Sequence, residues 1–101
     1  DKEGGESMTT ETKQESRIAL IGIIIEQRNQ QPATETTEEV NALLHQYNQY
    51  IDGRMGIPYK QRGVAIISVI LDAPNNIISS LSGKLGMIQG ISVKTMYSKV
   101  A

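Results

Sequence analysis

Two segments, residues 18–25 and 64–71, are apolar at both odd and even positions. Side chains alternate between the two sides of a β-strand, so a strand that is apolar throughout must be covered on both faces. In the first segment Ile18, Leu20 and Ile24 would lie on one face and the intervening aliphatic residues on the other. Both segments are therefore predicted to be central strands of a sheet.

A helix is predicted between these strands. Thr36 and Glu39 have the spacing of a capping box, in which each side chain satisfies the other's free amide, so the helix is expected to begin at Thr36. Apolar residues then recur along one helical face; they are Val40, Leu43, Leu44 and Tyr47. This stripe can cover one side of the sheet.

A second helix is predicted after the second apolar strand. Asp72 and Pro74 favour its start, because aspartate can cap free amides and proline is tolerated in the first turn. Gly86 is expected in the left-handed conformation that ends many helices. The apolar positions of this helix are Ile77, Ile78, Leu81 and Leu85.

The two remaining segments are typical of edge strands. Residues 51–59 contain Gly53, Gly56 and Pro58, and residues 91–98 alternate between apolar and polar. The whole pattern predicts an α+β, ferredoxin-like βαββαβ sandwich with an antiparallel sheet of order 4-1-3-2. Right-handed crossovers would place both helices on one face.

The other sheet face would have no helix to cover it. Burial of one aliphatic side chain contributes about 1.5 kcal/mol, so several of them represent much of a domain's total stability. The chain is therefore predicted to bind itself, as a homodimer or homotetramer. The predicted interface positions are Ile18, Leu20, Ile24, Ile66 and Val69.

The 101 residues provide one domain, predicted at residues 17–101, behind a flexible tail at residues 1–16. Met8 is a candidate native start, which would make residues 1–7 a remnant of cloning. The formal net charge is -1. The predicted domain has eight basic and six acidic residues, and the acidic tail outweighs this small positive charge. Those basic residues form no cluster, so direct nucleic-acid binding is disfavoured.

The chain contains no cysteine, which excludes disulfides, thiolate metal sites and cysteine nucleophiles. Its longest apolar run is far shorter than the roughly 20 residues of a membrane helix. We therefore expect a cytoplasmic protein with no membrane segment and no metal or cofactor.

No catalytic motif is present, and a protein that is not an enzyme is predicted. His45 is the sole histidine and lies on the first helix beside its apolar stripe. One alternative is a small dimeric enzyme with His45 or Arg54 at the sheet interface. The other is a DNA-binding or metal-responsive regulator. It is disfavoured because both helices are needed to cover the sheet, and because one histidine and no cysteine argue against the metal site of such regulators.

A family resemblance covers most of residues 17–99. The block at residues 81–95, LSGKLGMIQGISVKT, resembles the C-terminal signature of a small ACT-like family of iron-only hydrogenase system regulators. Residues 40–45, 54–59 and 65–67 are also similar to the family's corresponding stretches. The loop at residues 27–35 is longer than the family pattern.

The resemblance implies a self-associating regulatory domain, with genes of the family lying near those for hydrogenase maturation. ACT domains often bind small effectors, frequently amino acids, at subunit interfaces near the first loop and helix start. By this likeness the candidate ligand-binding residues are Gln27, Arg28, Asn29, Thr36, Gly83, Lys84 and Gly86.

Overall fold

The computed structural model describes residues 16–26 and 33–99. Its elements are β1 (Ser16–Glu26), α1 (Ala33–Gln46), β2 (Ile51–Tyr59), β3 (Val64–Pro74), α2 (Asn75–Gly86) and β4 (Ile91–Tyr97). Short 3-10 turns, Asn48–Tyr50 and Lys60–Arg62, flank β2. The predicted tail lies outside the described residues except for Ser16, which is the first residue of β1.

The four strands form one antiparallel sheet of order β2-β3-β1-β4. This is the predicted order 4-1-3-2 read from the opposite edge, so the prediction is confirmed. The two apolar strands, β1 and β3, are central and pair from Ser16 opposite Pro74 to Glu26 opposite Val64. In β2 the register shifts between Ile51 and Gly53.

The core lies between one sheet face and the two helices, as predicted. The central strands contribute alternate residues to it, because neighbouring side chains point to opposite faces. The buried strand residues are Ala19, Ile21, Ile23, Ile25, Ile67, Val69, Leu71 and Ala73. The buried apolar residues of the helix layer are Val40, Leu44, Tyr47, Ile78, Leu81 and Leu85.

The start of α1 differs from the prediction. The helix begins at Ala33, three residues before the predicted Thr36, so Thr36 lies within it and is only 2% exposed. Thr36 is one turn before Val40 on the buried face and lies close to Gly90, at the start of β4. The sequence pattern missed this turn because its buried residue is a threonine.

The start and end of α2 also differ from the prediction. β3 continues to Pro74, so Asp72 is an exposed strand residue opposite Ile18 and does not cap the helix. Pro74 precedes α2 in an extended conformation, without a side-chain cap. Gly86 is not left-handed, because among the described glycines only Gly63 and Gly90 have positive φ.

Polar side chains of α2 form hydrogen bonds to Tyr47, which follows α1, and to β4. The Tyr47 hydroxyl lies 2.9 Å from the Ser80 hydroxyl, and the Lys84 ammonium lies 5.4 Å from the centre of the Tyr47 ring. Ser82 is joined to Thr95 by a 2.8 Å hydrogen bond. Hydrogen bonds from Ser80 and then Lys84 lower the pKa of Tyr47.

An alkaline absorbance titration of the folded chain is expected to show an early phase, below the ordinary tyrosine pKa of 10.0, that belongs to Tyr47. Its pKa is lower in the folded chain than the ordinary 10.0, so its ionisation stabilises the fold fully above pH 10. That contribution is lost as the pH falls through the lowered pKa. Tyr47→Phe should remove the early ionisation phase, whereas Tyr59→Phe should keep it. An early phase that survives in Tyr47→Phe would contradict the assignment.

Two glycine substitutions are expected to have opposite effects on unfolding by urea. A Cβ at Gly83, inside α2, would meet no atom within 4 Å, so Gly83→Ala should stabilise the domain by roughly 0.5–1 kcal/mol. Gly90 has φ of 88°, where alanine is strained, so Gly90→Ala should destabilise it by about 1–3 kcal/mol. Shifts of the same sign for both variants would be inconsistent with these conformations.

Candidate functional site

The sheet surface opposite the helices, which we call the helix-free face, is predominantly apolar. Seven of the eight large apolar residues that are exposed in the described ranges belong to it; they are Ile18, Ile24, Met55, Ile57, Tyr59, Ile70 and Met96. Leu20, Val64 and Ile66 are half-buried on the same face. An apolar surface that runs across all four strands is typical of an interaction site.

Strand pairing arranges this face in rows. In one row Leu20 lies between Ile70 and Met96, and in another Ile24 lies beside Ile66. Between these rows the central strands carry small residues, Ser68 and Gly22. The helix-free face therefore has two aliphatic ridges separated by a shallow trough.

Four of the five predicted interface residues lie on the helix-free face: Ile18, Leu20, Ile24 and Ile66. The placement of Val69 there is wrong, because it pairs with buried Ile21 and is itself fully buried under the helices. The prediction also missed Ile70, although it shares the parity of Ile66 along β3. Alternation within the strand was the signal that would have identified it.

One end of the helix-free face contains a groove of about 330 Å³. Val64 and Ile66 line it together with Tyr59 and Arg62, from the hairpin between β2 and β3. Arg62 is exposed, and no hydrogen bond or ion pair joins it to another residue of the described ranges. The groove thus combines an aliphatic floor with a guanidinium that no described residue pairs.

A second candidate site lies where β1 ends and β4 begins. The amide of Glu26 donates to the carbonyl of Gly90 at 2.9 Å, and the Thr36 hydroxyl lies against Gly90. This buried hydroxyl has no hydrogen-bond partner within the part of the chain that the structure describes. A buried polar group without a partner is costly, which marks Thr36 as a group that a ligand could satisfy.

The other predicted ligand-binding residues do not all converge there. Gln27, Arg28 and Asn29 lie outside the described residues. Lys84 packs against Tyr47, at the far end of α1 from Thr36. Thr36 and Tyr47 are eleven positions apart, which is roughly 16 Å along the helix axis at about 1.5 Å per residue. A Cβ at Gly83 or at Gly86 would meet no neighbour within 4 Å, so both glycines lie on the open surface of α2.

The candidate catalytic residues lie away from the helix-free face. His45 is exposed on α1, and Arg54 donates a 2.6 Å hydrogen bond to Asn41 of the same helix. Within residues 16–26 and 33–99, no group of three or more histidine, cysteine or acidic residues could hold a metal ion. In the same ranges, no helix has the length and apolar character needed to cross a membrane.

Comparison with known proteins identifies one matching family. The TM1266-like family model, "Iron-only hydrogenase system regulator, putative", matches residues 17–95. Uncharacterized protein TM1266 from Thermotoga maritima is 38% identical, with a TM-score of 0.75 over 84% of this chain and 100% of that chain. Among curated proteins, no match to the chain was found.

Two more distant solved structures share the fold. The ACT domain of GTP pyrophosphokinase from Chlorobium tepidum is 18% identical, with a TM-score of 0.64 over 80% of this chain and 99% of that chain. A formyltetrahydrofolate deformylase from Pseudomonas putida KT2440 is 13% identical, with a TM-score of 0.58 over 78% of this chain and 28% of the enzyme.

At these identities the two likenesses show the fold alone, which is the ACT-type arrangement expected from the sequence. The family match is stronger, because it spans both helices and all of the sheet except the first residue of β1 and the last two residues of β4. The chain belongs to the TM1266-like family.

Proposed function

We propose that this chain is a non-enzymatic regulatory module of an iron-only hydrogenase system, which binds a second copy of itself and a small effector. The observation that carries the proposal is the helix-free face. Its exposed aliphatic residues are spread over all four strands, from Met55 on β2 to Met96 on β4. A domain whose core is complete and whose second sheet face remains apolar is built to associate.

The energetic argument favours self-association. Ile18, Ile24 and Ile70 are between 39% and 47% exposed, although they belong to the two central strands. Burial of apolar surface contributes roughly 25 cal/mol per Å², so covering such a face would add several kcal/mol. A second copy presents the same apolar pattern, and closed two-fold symmetry is the commonest form of homo-oligomer.

The character of the helix-free face does not favour RNA binding. RNA-binding sheets of similar topology present aromatic side chains on their central strands, where bases stack. Here the equivalent exposed positions are aliphatic, and Tyr59 is the one tyrosine on this face.

The geometry also gives little support to the enzyme alternative. That alternative requires His45 or Arg54 to face a cavity that a partner sheet would close. Both residues are exposed on the helix side of the domain. A second copy on the helix-free face would enclose neither of them.

The effector is proposed to bind near Thr36 and Gly90, where Glu26 is the last described residue before Gln27, Arg28 and Asn29 in the sequence. The buried Thr36 hydroxyl supports this position. Regulation would follow from a population shift, in which the effector binds one assembly or conformation more tightly than another. Glu26 contacts Gly90 through its backbone and lies at the end of a central strand, so binding there can alter the helix-free face.

The purified chain is expected to be a dimer or larger oligomer in size-exclusion chromatography with light scattering. Ile24→Lys combined with Ile70→Lys should weaken the assembly at least about 100-fold, because each copy would have to bury two charges. Both positions are exposed in the monomer, so the variant should still fold and give an unchanged circular dichroism spectrum.

Met87→Lys is the matched control for this experiment. Met87 is 85% exposed and follows α2, away from the helix-free face. It should leave the assembly intact. A wild-type chain that is monomeric at micromolar concentration would refute self-association.

Effector binding is expected to raise the melting temperature in a screen of the twenty standard amino acids. A ligand at 100 times its Kd adds about 2.7 kcal/mol, which corresponds to roughly 10–20 °C for a domain of this size. Thr36→Val should abolish the shift, whereas Thr37→Val on the same helix should retain it. No shift with any amino acid, or equal shifts in both variants, would contradict this site.

A further inference from the structure

Two oppositely charged side chains on the helix-free face, those of Arg62 and Asp72, form no contact that the described part of the fold requires. Arg62 lines the groove at one end of β3, and Asp72 is exposed near the other end. Neither side chain forms a hydrogen bond or ion pair with another residue in the described part of the chain. Gly63, with φ of 66°, provides the turn beside Arg62, so the hairpin does not require the guanidinium.

The positions of these charges are related through the centre of β3. Ser68 is four residues from Val64 and four from Asp72, which is roughly 13 Å in each direction along a strand. A two-fold axis that crosses the strands at Ser68 would place Val64 of one copy opposite Asp72 of the other. Arg62, two residues before Val64, would then lie within reach of that carboxylate.

We infer that two copies pack through their helix-free faces about this axis, so that Arg62 of each copy binds Asp72 of the other. The inference rests on the proposed self-association and adds its geometry and specificity. An isologous interface of this kind contains the ion pair twice. Arginine suits the role, since its planar fork binds a carboxylate through two hydrogen bonds.

The apolar surfaces are complementary about the same axis. The ridge that contains Ile70 would pack on the ridge that contains Ile66 of the second copy, and Leu20 would face Ile24. Ser68 and Gly22 lie at the centre, where small side chains let the two sheets approach. The groove of Val64, Ile66, Tyr59 and Arg62 would receive Ile70 on its aliphatic floor and Asp72 at its guanidinium.

An axis parallel to the strands is a poorer solution. It would place Arg62 near Glu26, which already takes part in an interaction of its own, and Asp72 over Ile18 of the second copy. The proposed axis has one cost. Lys94 lies in the row of Gly22, so the axis would place it opposite Lys94 of the second copy. Lys94 is on the outermost strand, where a long side chain can extend into water.

Charge reversal tests the pairing in the full chain. Sedimentation velocity over a dilution series should show that Arg62→Asp and Asp72→Arg each raise the dimer Kd by about 10- to 100-fold, because two attractions become two repulsions. The double variant should return within about threefold of wild type. An equimolar mixture of the two single variants should form a heterodimer in native mass spectrometry.

Glu38→Arg, on the exposed side of α1, is the control and should not change the Kd. Melting curves establish that each variant is folded. The inference is overturned if wild type dimerises but the single reversals do not weaken it, if the double variant fails to recover, or if Glu26→Arg rescues Arg62→Asp in place of Asp72→Arg. A monomeric wild type would instead refute the proposed self-association itself.

Discussion

A sheet has two faces, and the helices within the described residues cover only one of them. The central strands are aliphatic on both sides, and the stripes of α1 and α2 cover the side that carries Ile21, Ile23, Val69 and Leu71. The remaining face retains half-exposed aliphatic residues in the middle of the sheet, where solvent contact is least favourable. The proposed assembly, its symmetry and its regulation all depend on this imbalance.

The two candidate sites share the end of β1. There the backbone of Glu26 is bonded to Gly90 beside the buried Thr36, and Glu26 pairs across the sheet with Val64, which lines the groove. A ligand that orders this end would therefore act on the strand that also forms the centre of the helix-free face. The hydrogen bond between Tyr47 and Ser80 lies in the helix layer and joins the end of α1 to α2.

The bulge in β2 decides what the edge of the helix-free face contains. The register shift between Ile51 and Gly53 moves every later residue of the strand to the opposite face. Arg54 consequently points to α1, where it binds Asn41, and Met55 and Ile57 extend the apolar surface. Without this shift, the guanidinium of Arg54 would lie among the aliphatic side chains.

The sequence alone was enough to predict the strand order, the sidedness of the helices and an uncovered apolar face. Alternation and helical periodicity identify each element locally, and the βαββαβ topology with right-handed crossovers arranges them. The sequence did not locate the start of α1, because Thr36 is a polar residue on a buried face. It also did not locate the end of β3, because Asp72 is equally typical of a helix cap. Only the tertiary structure separated Lys84 from Thr36 and turned Arg54 toward α1. These relations depend on register, bulge position and helix placement, which are set by packing between segments distant in the chain.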